Sequence, residues 1–260
     1  MGATPLAGVG SLPQRLATFY FFYYATVGAF MPYWSPYLEA RGFSPTQMGI
    51  AYALTGVMRI IIPLGWGWYA DRRGERMQLI RVASVAALLM FLLIPFTPDV
   101  FWLGVMMVAY TLLWHALLPQ FEVVTWNHLL AQGGDYSRVR LWGSVGFIVA
   151  VLGLGVVLDI TGMLWLPWLV GAFWVGMALT AWTIPEPPRV PTTARAAISL
   201  RGVLRQPGVL ALLFVCFASQ LSYAPYYNFF TLFLERHGHP RVYSGGLWAI
   251  AVIAEVPFWW

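Results

Sequence analysis

The chain has 260 residues, of which 60% are hydrophobic and only 10% are charged. A soluble domain carries roughly 25% charged residues, so this composition excludes a water-soluble globular protein. The formal net charge of +5 does not indicate nucleic-acid binding, because most of the arginines cluster in short loops on one side of the predicted membrane.

Apolar runs recur along the whole chain, and each is long enough to cross a bilayer of ~30 Å as a helix. The sequence therefore predicts an all-α polytopic membrane protein. We predict about eight spanning segments, near residues 16–38, 46–69, 78–96, 100–125, 139–158, 163–184, 208–234 and 243–260.

The loop arginines predict the orientation. With the N-terminus in the cytoplasm, only Arg41, Arg236 and Arg241 lie outside, and the other loop arginines lie inside. Cytoplasmic loops are enriched in positive charge. We expect a multi-pass protein of the cytoplasmic (inner) membrane with a cytoplasmic N-terminus.

The second predicted segment contains one isolated charge. Arg59 follows Val57 and Met58 and precedes three isoleucines. A charge at the bilayer centre costs about 2.5–3.5 kcal/mol on insertion scales, and such groups usually face a cavity or a partner charge. Arg59 is therefore a candidate functional residue.

The loop after this segment reads "GWGWYADRRGER". Gly67 is expected to let helices approach closely, Asp71 lies at the predicted helix end, and Gly74 permits a tight turn. Arg72 and Arg76 follow at the cytoplasmic surface. The pattern predicts a rigid charged latch at the inner ends of two helices.

The fourth segment contains two titratable residues on one helix face, because His115 and Glu122 are seven residues apart. Pro119 between them removes one backbone hydrogen bond. The two side chains could pass a proton. Alternatively, Glu122 pairs with Arg59 or Arg140 and locks the bundle, or it contacts a substrate directly.

A proline-rich and then arginine-containing stretch divides the chain. We assign residues 1–184 to a six-helix bundle, residues 185–206 to a cytoplasmic linker and residues 207–260 to a partial second bundle. The second half of the linker suits a short helix on the inner leaflet. A solvated connector is the alternative.

The second part repeats the first at an offset of 196 residues without a gap. The same offset carries Arg59 onto Glu255, which has the opposite charge. Such parallel repeats occur in transporters whose substrate site lies between two bundles near mid-membrane. The matching pairs are Leu38 with Leu234, Glu39 with Glu235, Gly42 with Gly238, Gly49 with Gly245 and Ala53 with Ala249.

The run from Gly67 to Arg76 has the form G-x-x-x-D-R-x-G-x-R, which resembles the loop motif between helices two and three of the major facilitator superfamily. The resemblance implies the major facilitator fold, here as six N-terminal helices plus the first two helices of the C-terminal bundle. It also implies that Asp71 and the nearby arginines make ion pairs that stabilise one alternating-access state.

Three further stretches, "MPYWSPYLEARGFSP", "YSRVRLWGSVGFIVAV" and "GGLWAIAVIAEVPF", resemble the phenylpropionate permease branch. Members of that branch import aromatic carboxylic acids with protons, and the branch lies close to nucleoside–proton symporters. The family fold has twelve helices, whereas this sequence stops within the predicted eighth. We therefore expect a fragment or a truncated gene product.

In the family fold, helices one and seven line the cavity, which makes their aromatic residues candidate substrate ligands. Packing is the alternative for each of them. Arg59 either binds a substrate carboxylate or makes a permanent ion pair with Glu255 or Glu122. The candidate substrate-binding residues are Arg59, Tyr23, Trp34, Tyr223, Tyr227 and Asn228, and the candidate proton-coupling residues are Glu122, Glu255 and His115.

Three functional interpretations follow from these residues. The first is a secondary active transporter that imports a small aromatic carboxylate with protons; the alternatives are a nucleoside or sugar proton symporter and an inactive truncated remnant.

We expect no enzymatic activity, since His115 lacks an obvious catalytic partner, and no cofactor. His237 and His239 are predicted to lie in a solvated turn rather than a metal site. The expected partners are a small-molecule substrate, protons and the lipid bilayer, with no nucleic acid, and we expect a monomer.

Overall fold

A computed structural model describes residues 10–132, 134–188 and 200–255, without the side chains of Gln132, Leu200, Arg201 and Glu255. Within these ranges the chain forms ten α-helices and two single 3₁₀ turns. The α-helices are α1 (Leu12–Phe30), α2 (Trp34–Ala40), α3 (Pro45–Arg73), α4 (Arg76–Leu92), α5 (Val100–Gln132), α6 (Tyr136–Thr161), α7 (Leu166–Thr183), α8 (Leu200–Leu204), α9 (Pro207–Arg236) and α10 (Arg241–Glu255).

The first predicted span is not one continuous helix, which corrects the prediction for residues 16–38. It is divided into α1 and α2 by a turn at residues 31–33. Pro32 and Pro36 lack backbone N–H groups, so neither can donate the hydrogen bond that a continuous helix requires. The two prolines together account for the break.

Six of the described helices are long and apolar enough to cross a membrane by length and composition. They are α3, α4 with its following turn, α5, α6, α7 with its preceding turn, and α9. The described apolar part of α10, Arg241–Ala254, is shorter. Gln14, Arg15 and three tyrosines lower the hydropathy of α1.

Helices α1 to α7 pack around a core rich in aromatic side chains. Helix α1 packs against α6 and α7, α5 packs against α3 and α4, and α4 also packs against α7. Small residues permit these close crossings. A β-carbon at Gly146 of α6 would lie only 2.1 Å from the carbonyl oxygen of Phe21 in α1.

The second part of the chain contacts the first through the C-terminal half of α9 and through α10. Helix α9 packs against α2, and α10 packs against α6. By contrast, every residue of α9 from 210 to 225 is exposed. The short helix α8 lies within the predicted linker, whose residues 189–199 lie outside the described ranges.

The backbone confirms the internal repeat. Gly42 and Gly238 both adopt positive φ angles, 87° and 81°, which glycine tolerates without steric cost. Each of their N–H groups donates to the carbonyl oxygen three residues earlier, at 2.9 Å in both turns. Helices α3 and α10 then begin at Pro45 and Arg241, which are also 196 positions apart.

The contact between α6 and α10 depends on a glycine. A β-carbon at Gly245 would lie 2.5 Å from the carbonyl oxygen of Val151 and 2.8 Å from the hydroxyl oxygen of Tyr33. The Tyr33 hydroxyl donates to the same carbonyl group at 2.6 Å. The neighbouring Gly246 has no atom within 4 Å of an added β-carbon.

We expect Gly245→Ala to lower the thermal stability of the purified protein, because the methyl group would push α10 away from α6. Overpacking of this kind costs about 1–3 kcal/mol. Gly246→Ala is the matched control and should be neutral or stabilising, since alanine favours helix by about 1 kcal/mol. Thermal unfolding in detergent measures both variants. Equal melting temperatures for the two would contradict the close crossing.

Candidate functional site

A cavity of about 310 Å³ opens among α1, α2, α3, α5 and α9. Of the predicted substrate residues, Tyr23, Trp34, Arg59 and Asn228 line it, and so does His115 from the predicted proton-coupling set. The structure thus brings residues of the first bundle and of α9 together in one space.

Arg59 lies at the midpoint of α3, fourteen residues from Pro45 and fourteen from Arg73, which is about 21 Å from either end. Its side chain is exposed within the cavity. Its Nε donates a hydrogen bond to Nε2 of His115 at 2.9 Å. The isolated charge noted in the sequence therefore faces a cavity.

The hydrogen bonds of His115 define its tautomer. Its Nδ1 lies 3.3 Å from the carbonyl oxygen of Thr111, which can only accept. Its Nε2 accepts from Arg59. Nδ1 therefore carries the hydrogen, and His115 is neutral in this arrangement.

Prolines interrupt the hydrogen bonds of both helices at this pair. Pro63 of α3 lies four residues after Arg59, and Pro119 of α5 lies four residues after His115. A proline has no N–H to donate to the carbonyl group four residues earlier. The carbonyl groups of Arg59 and His115 thus lack their ordinary helical partners, which loosens the backbone at both residues.

Aromatic rings form the remaining wall of the cavity. Phe30 stacks on Trp34 with ring centroids 4.4 Å apart, and Tyr110 stacks on Trp114 at 5.4 Å. Phe30 also meets Trp114 edge to face at 5.1 Å. Within the described part of the chain, the indole N–H groups of Trp34 and Trp114 have no hydrogen-bond partner.

Tyr110 and Trp114 were missed in the sequence. The available signal was their spacing of four residues, which places them on one face of α5 next to the equally spaced Thr111 and His115. Aromatic residues are too abundant in this chain, at 17%, for that spacing alone to have distinguished them.

The predicted substrate contacts of Tyr223 and Tyr227 stay a prediction, because both residues lie outside the lining of the described cavity. Tyr223 is 52% exposed, and Tyr227 stacks on Trp248 with centroids 5.6 Å apart. Neither lines the cavity, whereas Asn228 does. The rotation of α9 about its axis decides this difference.

The prediction that Glu122 locks the bundle through Arg59 or Arg140 is also wrong for the described side chains. Arg59 bonds to His115. Arg140 donates to the hydroxyl group of Tyr24 and lies over its ring, 4.0 Å from the centroid. Glu122 is partly buried outside the cavity lining.

Glu255 cannot be placed in the site. Its backbone ends α10, and its side chain lies outside the described residues. The predicted pairing of Glu255 with Arg59 therefore stays a prediction.

The loop between α3 and α4 contains the ion pair expected of the latch. Arg76 at the start of α4 pairs with Asp71 at the end of α3 and also donates to the side chain of Gln120 in α5. Gly74 ends α3 with φ of 68°, and its N–H donates to the carbonyl group of Ala70. Three helices are joined at this point.

Two other residues of the predicted latch make contacts of a different kind. The Arg72 guanidinium lies over the ring of Trp68, 3.9 Å from its centroid. A β-carbon at Gly67 would meet Nε2 of Gln120 at an ordinary distance of 3.8 Å. Gly67 is therefore not required for a close helix approach.

Ionic contacts join the two parts of the chain at the opposite end of the bundle. Arg236 of α9 pairs with Glu39 of α2 at 2.5 Å. The Asp159 carboxylate at the end of α6 accepts the backbone N–H groups of Arg241 and Val242 at 3.0 and 3.1 Å. Asp159 thereby caps the start of α10 from a different helix.

We expect Asp159→Ala to lower the melting temperature more than Glu39→Ala. Loss of an N-terminal cap costs about 0.5–2 kcal/mol, whereas an exposed ion pair is worth about 0.2–1 kcal/mol, and Glu39 and Arg236 are 40% and 52% exposed. Thermal unfolding of both purified variants provides the comparison. The reverse order would show that the Arg236 pair, not the cap, holds this end together.

Comparisons with known proteins agree on the class of this chain. Residues 14–260 match the MFS_1 like family. The "Probable 3-phenylpropionic acid transporter" of Escherichia coli (strain K12) is 30% identical over 250 residues, which cover 93% of this chain and 64% of the relative. The "Maltose permease" of Geobacillus stearothermophilus is 27% identical over 266 residues, covering 99% and 66%.

The fold matches a crystal structure of the nucleoside transporter NupG with a TM-score of 0.76, at 17% identity over 95% of this chain and 66% of that one. The chain thus spans slightly less than two thirds of the length of these relatives. The matches confirm the resemblance and the fold class drawn from the sequence. All three proteins are named as transporters or permeases, in agreement with the expectation that the chain is not an enzyme.

Proposed function

The chain belongs to the MFS_1 like family, and on that premise we propose that it binds a small aromatic carboxylate and serves in its proton-coupled import. The observation that carries the proposal is the position of Arg59. One guanidinium group faces a cavity at the midpoint of a membrane helix, surrounded by aromatic rings. A ligand that carries both a negative charge and an aromatic ring matches the guanidinium of Arg59 and the aromatic wall of the cavity.

The guanidinium of Arg59 is available for a carboxylate. Its Nε bonds to His115, and its two terminal nitrogens make no hydrogen bond to any side chain that the structure describes. A guanidinium presents paired N–H groups that match the two oxygens of a carboxylate. Arg59 therefore serves as the anion anchor.

The size and wall of the cavity favour a single ring. Ligand pockets usually measure about 300–1,000 Å³, so a cavity of about 310 Å³ is at the small end of the range. Phe30, Trp34 and Trp114 offer ring faces and edges for stacking. An acid of the 3-phenylpropionate type suits this space better than a disaccharide does.

The energy source in this proposal is the proton gradient. His115, Glu122 and Glu255 are the candidate proton-coupling groups, and of these His115 contacts the proposed anion anchor. The Asp71–Arg76 pair serves as the latch that stabilises one state of the cycle. We place the chain in the cytoplasmic membrane as a monomer, with its N-terminus and the latch on the cytoplasmic side.

A nucleoside is the second candidate substrate. Asn228 supplies an amide group to the cavity. An amide group suits an uncharged polar ligand with an aromatic base. The similarity to NupG supports this alternative at the level of the fold.

We expect Arg59→Gln to weaken binding of 3-phenylpropionate to the purified 260-residue chain by about 10- to 150-fold. A hydrogen bond to a charged group is worth about 1.5–3 kcal/mol, and each 1.4 kcal/mol corresponds to about tenfold in affinity. Calorimetric titration in detergent measures the change.

Arg73→Gln is the matched control, because Arg73 lies in the same helix but over the ring of Tyr69 at its end. Its affinity should equal that of the wild type. If Arg59→Gln binds the acid as tightly as the Arg73 variant, Arg59 is not the anion anchor.

The same titration with uridine separates the two substrate classes. The proposal expects binding of 3-phenylpropionate with no comparable binding of uridine. Tighter binding of uridine, weakened by Asn228→Ala and indifferent to Arg59→Gln, would favour the nucleoside alternative.

A further inference from the structure

The Arg59–His115 contact occupies the one position at which His115 can take up a proton. Nδ1 already carries a hydrogen directed at the Thr111 carbonyl group. The remaining lone pair, on Nε2, accepts the N–H of Arg59 at 2.9 Å. A proton and Arg59 therefore compete for the same atom.

We propose that this competition couples the proton to the substrate: when the substrate carboxylate takes the Nε–H of Arg59 together with a terminal N–H, Nε2 of His115 is released and binds a proton. The inference rests on the proposed function, because it requires an anionic substrate at Arg59. It goes further by naming the proton site and the reason that the two ligands bind together.

Charge explains why the proton does not bind to the empty site. An imidazolium next to the Arg59 guanidinium would place two positive charges about 3 Å apart in a cavity walled by aromatic rings, and the low dielectric constant of such surroundings makes this repulsion costly. The anion neutralises the guanidinium and so removes this repulsion. Anion and proton together restore the charge of the empty site, so the empty and fully loaded sites are electrostatically alike.

Arg59 is the only charged side chain that lines the described cavity around His115. The other titratable side chains that line the cavity are phenols, which are uncharged at neutral pH: Tyr23 and Tyr24 of α1, Tyr52 of α3 and Tyr110 of α5. Among the charged residues of the neighbouring helices, Arg140 of α6 is bound to Tyr24 and Arg76 of α4 is bound to Asp71. Glu122 lies two turns further along α5, outside the cavity lining.

Two prolines lower the free-energy cost of separating Arg59 from His115. Pro63 and Pro119 have already removed the helical hydrogen bonds to the carbonyl groups of Arg59 and His115. The backbone at both residues can therefore shift without breaking those bonds. Helices α3 and α5 can therefore move at the position where the hydrogen bond between Arg59 and His115 must break.

The test is a proton count during binding of 3-phenylpropionate to the 260-residue chain. Calorimetric titrations in buffers of different ionisation enthalpy give the number of protons taken up, and titrations from about pH 5.5 to about pH 8 keep the ligand anionic. We expect uptake of about one proton and, on the alkaline side, affinity that rises about tenfold for each unit that the pH falls.

His115→Gln should abolish both the proton uptake and the slope of affinity against pH. His128→Gln is the matched control: His128 lies in the same helix, with Nε2 3.1 Å from the carbonyl oxygen of Pro185 and outside the cavity. The His128→Gln variant should keep both the proton uptake and the dependence of affinity on pH. If His115→Gln does not fold, the number of protons taken up by the wild type still tests the inference, because binding without proton uptake would contradict it.

The outcomes distinguish failure of this inference from failure of the proposed function. Binding of the acid to the wild type without proton uptake, or with uptake that survives in His115→Gln, overturns the inference and leaves the anion site intact. No binding to the wild type, or binding indifferent to Arg59→Gln, overturns the proposed function itself.

Discussion

The hydrogen bond between Arg59 and His115 is the interaction on which the site depends. A guanidinium halfway along a membrane helix is expensive unless it faces water or a polar partner, and α3 places Arg59 there with isoleucines on its C-terminal side. The cavity and the neutral imidazole of His115 meet that requirement together. The aromatic wall then surrounds the only charged side chain that lines the described cavity.

The two ends of the bundle differ in how the parts of the chain meet. At the end where α3 begins, Arg236 pairs with Glu39 and Asp159 caps α10, so the first bundle is joined to the second part. At the end where α3 finishes, the latch joins α3, α4 and α5 within the first bundle, and the first half of α9 is exposed. Contact between the two parts is thus concentrated on one side of the cavity.

The sequence predicted those features that depend on order along the chain. The offset of 196 residues located the repeat, and the matching turns at Gly42 and Gly238 confirm it. An isolated arginine in an apolar run predicted either a cavity or a partner charge for Arg59, because few other environments tolerate such a charge, and the structure places it in a cavity. The latch pair between Asp71 and Arg76 followed from its motif.

Features that depend on helix rotation and distance could not be predicted. Glu122 shares a face of α5 with His115 but lies two turns further along the helix, outside the cavity lining, and Arg59 bonds to the histidine instead. Tyr227 and Asn228 are adjacent in sequence but only Asn228 reaches the cavity. Gly67 matched its motif without any close neighbour.

We propose that one positive charge in an aromatic cavity selects the ligand. The most direct test compares 3-phenylpropionate with 3-phenylpropanamide, which has the same shape and no charge, by titration of the wild-type chain. We expect the acid to bind at least about tenfold more tightly than the amide, because a hydrogen bond between charged groups is lost with the amide. Equal affinities would contradict it.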